Sequence, residues 1–282
     1  MGLFSKLKNK KVHNKSHFTS EPISAPVTNT GATVLFNKPT IDVKEFETAI
    51  TKKFGAKSII KIDNSHPSVT HLTLHIDNID VICSYMPFAL PQEEWDIQEL
   101  LSINHYISKD EQKSFVEHKS FCLITEIGGG KTLEGKRSVC IALTKLCGVL
   151  LMMESAAGVY VSAANLLIGK KMYLNHVSIT EQQTGNAEYF PTILWILVYP
   201  AYTDDGASTI ETYGLEQFGF LELVFYNPKE EWSQSYEKLY IMSTLQITGK
   251  EIYKNMDTIS FSNDDISIFK QNGKKLNVIG GI

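Results

Sequence analysis

The segment Val69-Thr-His-Leu-Thr-Leu-His-Ile76 alternates apolar and polar residues with the period of two that a half-buried β-strand imposes. Residues 57–62 before it and 80–85 after it read as strands as well. Further upstream, Asp42 and Glu45 form a capping-box pattern, Val43, Phe46, Ile50 and Phe54 recur at helical spacing, and Gly55 supplies a stop. With a strand over 32–36, the chain opens as strand, helix, three strands. The alternation also decides the chemistry of His71 and His75. On a helix they would converge on a metal, but on a strand they lie about 13 Å apart, too far for one zinc, and read as two solvent-facing side chains.

Beyond this unit, Pro91 opens a second helix through Trp95, Ile97, Leu100, Leu101 and Ile103, with Glu93 and Glu94 complementing the dipole of its first turn. A strand over 120–127 runs through a glycine loop into a long helix over 132–153. There Cys140 and Cys147, seven residues apart, share a core face. The apolar run 192–199 suits a central buried strand, and a polar hairpin-like loop follows at 203–208. A strand over 221–226, a helix marked by Trp232, Tyr236, Leu239 and Met242, and short strands over 258–261, 266–269 and 276–279 complete the chain. Strands and helices without regular βαβ alternation predict an α+β fold, with mainly antiparallel mixed sheets packed with about four helices. The organisation expected is a disordered basic tail over 1–30, an α+β region over 31–185, and a second over 186–282 packed with the first as one unit.

Composition narrows the functional classes. The 282 residues carry 27 Lys+Arg against 31 Asp+Glu, a net charge of −4, and are 43% hydrophobic, as an ordinary globular chain is. Arg137 is the single arginine, so bidentate recognition of phosphates or guanine edges is nearly absent and no nucleic-acid partner is expected. Cys83, Cys122, Cys140 and Cys147 show no CxxC spacing and read as reduced thiols, which makes the cytoplasm the default location. No apolar run approaches the roughly 20 residues of a membrane-spanning helix. Lys6, Lys8, Lys10, Lys11 and Lys15, with Leu3, Phe4 and Leu7, allow only peripheral membrane contact by the tail. Lys6 stands where a myristoylation signal has Ser or Thr, so neither lipidation nor a secretory signal is expected.

Motifs that could carry chemistry are weak. Gly128, Gly129, Gly130, Lys131 and Thr132 stand between a strand and a helix as a phosphate loop would, but Thr125 occupies the position of the first glycine in that pattern. A strand-to-helix turn with Thr132 as N-cap is the simpler reading. Neither a nucleophile elbow nor a zinc spacing occurs, so no cofactor and no metal is expected. Asp204 and Asp205, and Asp264 and Asp265, read as turn residues rather than calcium ligands.

Four segments resemble an uncharacterised bacterial family, the domain of unknown function 4261. The clearest is Thr212-Tyr-Gly-Leu-Glu-Gln-Phe-Gly-Phe-Leu-Glu-Leu223; the others are Met86-Pro-Phe-Ala-Leu-Pro91, His118-Lys-Ser-Phe-Cys-Leu-Ile124 and Ala156-Ala-Gly-Val-Tyr160. The resemblance implies an α+β fold and no established activity. Val224 stands where the family pattern often has a second acid, so a paired carboxylate is not expected at Glu222. Gly214 and Gly219 are candidates for turns of unusual φ, and the charge of Glu222, on a strand, needs solvent or a partner. The expected function is a non-enzymatic cytoplasmic protein-interaction module, immunity-like or secretion-associated. The alternative is a hydrolase built on Glu222, Thr212 and spatially adjacent histidines.

Overall fold

The computed structural model describes residues 30–66, 69–91, 95–128, 130–202, 208–226, 232–262 and 265–280. The basic tail, Glu93, Glu94, Gly129, the 203–207 loop and Asp264 lie outside the described residues.

Chain order is β1 (Gly31–Phe36), α1 (Val43–Phe54), β2 (Ile59–His66), β3 (Val69–Ile76), β4 (Ile79–Met86), α2 (Ile97–Ile103), α3 (Lys109–Val116), β5 (Ser120–Glu126), α4 (Leu133–Leu151), β6 (Ala156–Val161), β7 (Leu166–Gly169), α5 (Lys170–Gln182), β8 (Leu197–Tyr202), β9 (Ser208–Tyr213), β10 (Glu222–Tyr226), α6 (Trp232–Ile247), β11 (Thr258–Ser262), β12 (Asp265–Asn272) and β13 (Lys275–Gly280). The first sheet, ordered β2-β3-β4-β5-β1-β6-β7, is antiparallel throughout. The second, β11-β12-β13-β10-β9-β8, has one parallel pair, β10 with β13. The fold is α+β.

Local chemistry sets the helix ends. The Asp42 carboxylate accepts the Lys44 amide at 2.9 Å, and Gly55 closes α1 at φ +88°. Thr132 caps α4 by accepting the Gly135 amide at 3.1 Å, as its sequence position predicts. The second helix begins later than expected. Asp96, not Pro91, sets its start, accepting the amides of Gln98 and Glu99.

Two helices and three strands go beyond the elements read from sequence, each for a physical reason. Helix α3 buries only Phe115, and α5 only Tyr173, Val177 and Thr180, so neither carries a strong apolar stripe. β6 and β7 are buried at every position, which erases the alternation that betrays a strand. β9 is Ser-Thr-Ile-Glu-Thr-Tyr, polar at most positions yet largely buried. The apolar run 192–199 is the clearest correction. Residues 192–194 form a 3₁₀ turn, and β8 is an edge strand carrying Pro200, which has no amide to donate and is tolerated at an edge.

One face of the first sheet presents Val34, Leu72, Leu74, Val81, Cys83 and Ile124 to a core completed by α1, α4 and α5. That core continues into the second sheet through Trp195, Ile210, Leu223, Phe269 and Leu276, with α6 packed on β8, β9 and β10. On the opposite face, α2 and α3 pack near β6 and β7, burying Leu35, Trp95, Phe115, Phe121 and Tyr160. The β3–β4–β5 portion of that face carries His71, Thr73, Ile82 and Thr125, each half-buried, with Ser84 buried among them and Leu123 38% exposed.

The sheets meet at Gly214. Its φ is +116°, and a Cβ there would stand 2.9 Å from both the Ala164 Cβ and the Trp195 carbonyl oxygen. Replacing it with alanine therefore combines backbone strain with a collision between packed segments, and Gly214→Ala is expected to lose about 2–4 kcal/mol in denaturant unfolding. Gly185→Ala, at φ +84° in open space, incurs only the backbone term of roughly 1–2 kcal/mol. Equal losses in the two variants would show that the close approach is not tight.

Candidate functional site

Thr212 lies near the end of β9, Gly214 turns the chain into a 3₁₀ turn over Leu215–Phe218, and Gly219 at φ +83° releases it toward β10. Both glycines have the positive φ expected from sequence. Glu222, the first residue of β10, reaches back into this turn. Its Oε1 accepts the amides of Gly214 at 2.8 Å and Glu216 at 3.1 Å, and its Oε2 accepts the Thr212 hydroxyl at 2.7 Å. Thr212 Oγ1 in turn accepts the Leu223 amide at 2.8 Å. Burial pushes the Glu222 carboxyl above its ordinary value, and these hydrogen bonds pull it back part of the way. The site is thus an anion held over the amides of a tight turn, and the anion is the protein's own.

A second acid does lie nearby, on a different strand. The Glu211 side chain is 7% exposed, accepts from Lys275 Nζ at 2.6 Å and from Thr209 at 3.0 Å, and receives a longer contact from the Tyr199 hydroxyl at 3.4 Å. Both carboxylates act on Tyr199, whose phenol is pushed up by burial first and then by Glu211. Lys275 stands opposite Glu222 in the parallel β10–β13 register. Sequence reasoning missed Glu211 because β9 itself was not visible as a strand; the Thr-x-Glu-Thr alternation around Ile210 was the available signal.

The described histidines go elsewhere. His71 Nδ1 pairs with Ser84 Oγ at 2.8 Å and His75 Nδ1 with Asp80 at 2.7 Å, across adjacent strands of the first sheet. His118 accepts the Leu90 amide at Nε2 (2.8 Å) and donates from Nδ1 to the Phe115 carbonyl (2.7 Å), so it serves as a neutral clamp on the 86–91 segment. No described histidine hydrogen-bonds Glu222, so the structure joins Thr212 to Glu222 but adds no imidazole to the pair.

At the glycine loop, Gly128 and Gly130 have φ near +70° and Lys131 is exposed. A Cβ on Gly130 would stand 2.9 Å from Glu126 Oε1, so the loop lies against a buried carboxylate that also accepts the Thr30 amide at 3.2 Å. Lys136, 1% exposed, sits one turn into α4, its pKa lowered by burial while Glu126 opposes that shift. The loop therefore packs on an internal carboxylate with a buried ammonium close by. All four cysteines are free and buried, and burial pushes the Cys147 thiol up to about 12, far from a reactive thiolate. Among the described residues no cluster of His, Cys, Asp and Glu is arranged to hold a metal ion, and no helix is long and apolar enough to cross a membrane. No protein-family profile matches the chain, and no curated protein or solved structure shows significant similarity to it.

Two predictions test these roles. Glu222→Ala strands the amides of Gly214 and Glu216 and should lose about 2–4 kcal/mol, whereas Glu222→Gln, which keeps one carbonyl acceptor, should lose about 1 kcal/mol. Indistinguishable unfolding midpoints for both variants and the parent would remove the carboxylate from its structural role. For His118, burial lowers the folded pKa below the ordinary 6.5, so the unfolded chain takes up the proton first as pH falls. Stability is therefore lost as pH drops from about 6.5 through the folded value, and His118→Gln should flatten that decline in thermal midpoint between about pH 7.5 and 5.5. An identical decline in parent and variant would mean that His118 does not contribute.

Proposed function

We propose that this protein is a binding module that presents the partly exposed β3–β4–β5 face of its first sheet to a protein partner. The observation that carries this reading is the division of that face. Helices α2 and α3 bury one half, while the other half sets Ile82 and the 38% exposed Leu123 among Thr73, Thr125 and His71. At the border Phe88, 47% exposed, meets the buried Phe121 edge-on at 5.8 Å, which adds an exposed aromatic ring beside the patch. An apolar centre within a polar surround is the composition of a protein-binding surface.

Other features support the same reading. Candidate groups are engaged internally: Glu222 by a turn and His118 by two backbone groups; so is the buried Glu126, by the Thr30 amide. Buried free thiols fit a reducing, cytoplasmic setting. A single arginine and a net charge of −4 favour protein over nucleic acid as partner. Kinship with the domain of unknown function 4261, and an immunity-like or secretion-associated role, belong to this proposal and rest on the quoted segments. The hydrolase alternative keeps one specific support, the approach of Glu211 and Glu222 to Tyr199.

A photo-reactive amino acid at Ile82 should capture a stoichiometric partner in the native host, and the same group at exposed Lys131 should not. Leu123→Arg should abolish capture with an unchanged unfolding midpoint. Equal capture from both positions, or a hydrolytic activity lost in Glu222→Gln but retained in Leu123→Arg, would overturn the binding reading.

A further inference from the structure

Sheet edges expose unpaired amides and carbonyls, and proteins usually guard them with brevity, proline, bulges or cover. Among the described residues the two sheets have four edge strands, three of them protected by brevity, proline or cover. β7 has four residues, and its Gly169 lies directly against the Glu111 carboxylate of α3. β8 carries Pro200, and β11 has five residues. β2 is the longest of the four, and its own guards are two register irregularities and Lys61. It runs for eight residues without proline at the edge of the first sheet, and Ile60 and Ile62 on it are 57% and 38% exposed. Its pairing with β3 is irregular on either side of residues 61–63, which leaves that regular stretch as the centre of the edge.

The charges on β2 identify what fits this edge. Lys61 pairs with Thr73 of β3 and Asp63 with His71, so both stand on the outer face, and their side chains meet at 3.0 Å. Ile62, between them, pairs with Leu72 on the core face. Consider a second β2 laid antiparallel to the first about a twofold axis through Ile62. Residues whose numbers are equally displaced from the centre then face each other. Lys61 falls opposite Asp63 of the other copy, Asp63 opposite Lys61, and Ile62 opposite its own equivalent. Opposite charges stabilise directly facing positions, and facing isoleucines extend the apolar layer of the core across the axis. The strand is thus self-complementary in charge, in polarity and in side-chain face, which is the requirement of an isologous interface.

We infer that β2 is a homodimer edge, at which two copies of this chain join their first sheets into one continuous antiparallel sheet centred on Ile62. The surface is distinct from the β3–β4–β5 face, so the two readings stand or fall separately.

Sedimentation equilibrium of the full chain should show a reversible monomer–dimer equilibrium. Lys61→Asp places four carboxylates around the axis, and Asp63→Lys places four ammonium groups there. Each variant alone should weaken association by roughly tenfold or more. An equimolar mixture of the two should associate again, because every carboxylate of one variant then faces an ammonium group of the other. This rescue separates the interface from damage to the fold, which mixing could not repair. Ile62→Cys should form an intermolecular disulfide under mild oxidation, since the native cysteines are buried. A chain that stays monomeric at high concentration, single variants that dimerise as the parent does, or a mixture no tighter than its components would each overturn the proposal.

Discussion

The indole of Trp195 donates to Thr144 Oγ1 in the middle of α4 at 2.9 Å, and its backbone carbonyl accepts from Gln217 Nε2 at 3.1 Å. The side chain is fully buried. Thr144 belongs to the helix that carries the core of the first sheet, and Gln217 belongs to the turn between β9 and β10 of the second. Trp195 therefore ties both layers at one point, and it can do so only because Gly214 brings that turn against the Trp195 carbonyl. A continuous core follows from this contact. Without it the second sheet would have to bury Leu223, Phe225 and Phe269 against α6 alone, and one helix covers little of a six-stranded sheet.

Glu222 gains its meaning from the same joint. A 3₁₀ turn squeezed between two sheets leaves its first amides without helical partners, and a buried amide without an acceptor is costly. The carboxylate at the start of β10 supplies the missing acceptors from eight residues away in sequence. Burial raises its pKa, a common sign of a catalytic acid, but here the donors that compensate the charge are backbone amides and a threonine hydroxyl. The chemistry is that of a cap. In the 212–223 segment the glycines, threonine and glutamate therefore each have a mechanical reason to be where they are.

Much of this was legible in the chain itself. Period-two alternation identified β3, capping residues placed α1 and α4, and the spacing of Gly214, Gly219 and Glu222 marked a turn with a charge needing partners. The elements that escaped are those in which burial removed the signal. Ala156–Val161 is buried at every position, so no alternation remains, and β9 hides polar side chains that periodicity assigns to solvent. The apolar run over 192–199 misled because hydrophobicity reports burial and not sheet position, while Pro200 carried the contrary information about an edge. Partnerships of long sequence separation, Glu211 with Lys275 or Trp195 with Thr144, leave no local trace at all.

The chain also buries charge at more than one point, each with a different form of compensation. Glu211 has a salt bridge and a hydroxyl, Glu222 has amides, and Glu126 lies beside Lys136 beneath the glycine loop. Such groups add little net stability when paired, yet removing one partner typically costs about 3–5 kcal/mol because the other charge stays buried. Alternative packings that separate any pair are therefore penalised steeply, whereas a purely apolar interior would tolerate sliding of one layer over another. That rigidity bears on function. A flat, half-covered sheet can serve as a recognition surface only if its strands hold one register. In this chain the outer row Asp63, His71, Ser84 and Leu123, of which Leu123 is the exposed member, is fixed by the same strand pairing that seats Leu72 and Cys83 in the core, so the interior and the outer face depend on a single arrangement of the backbone.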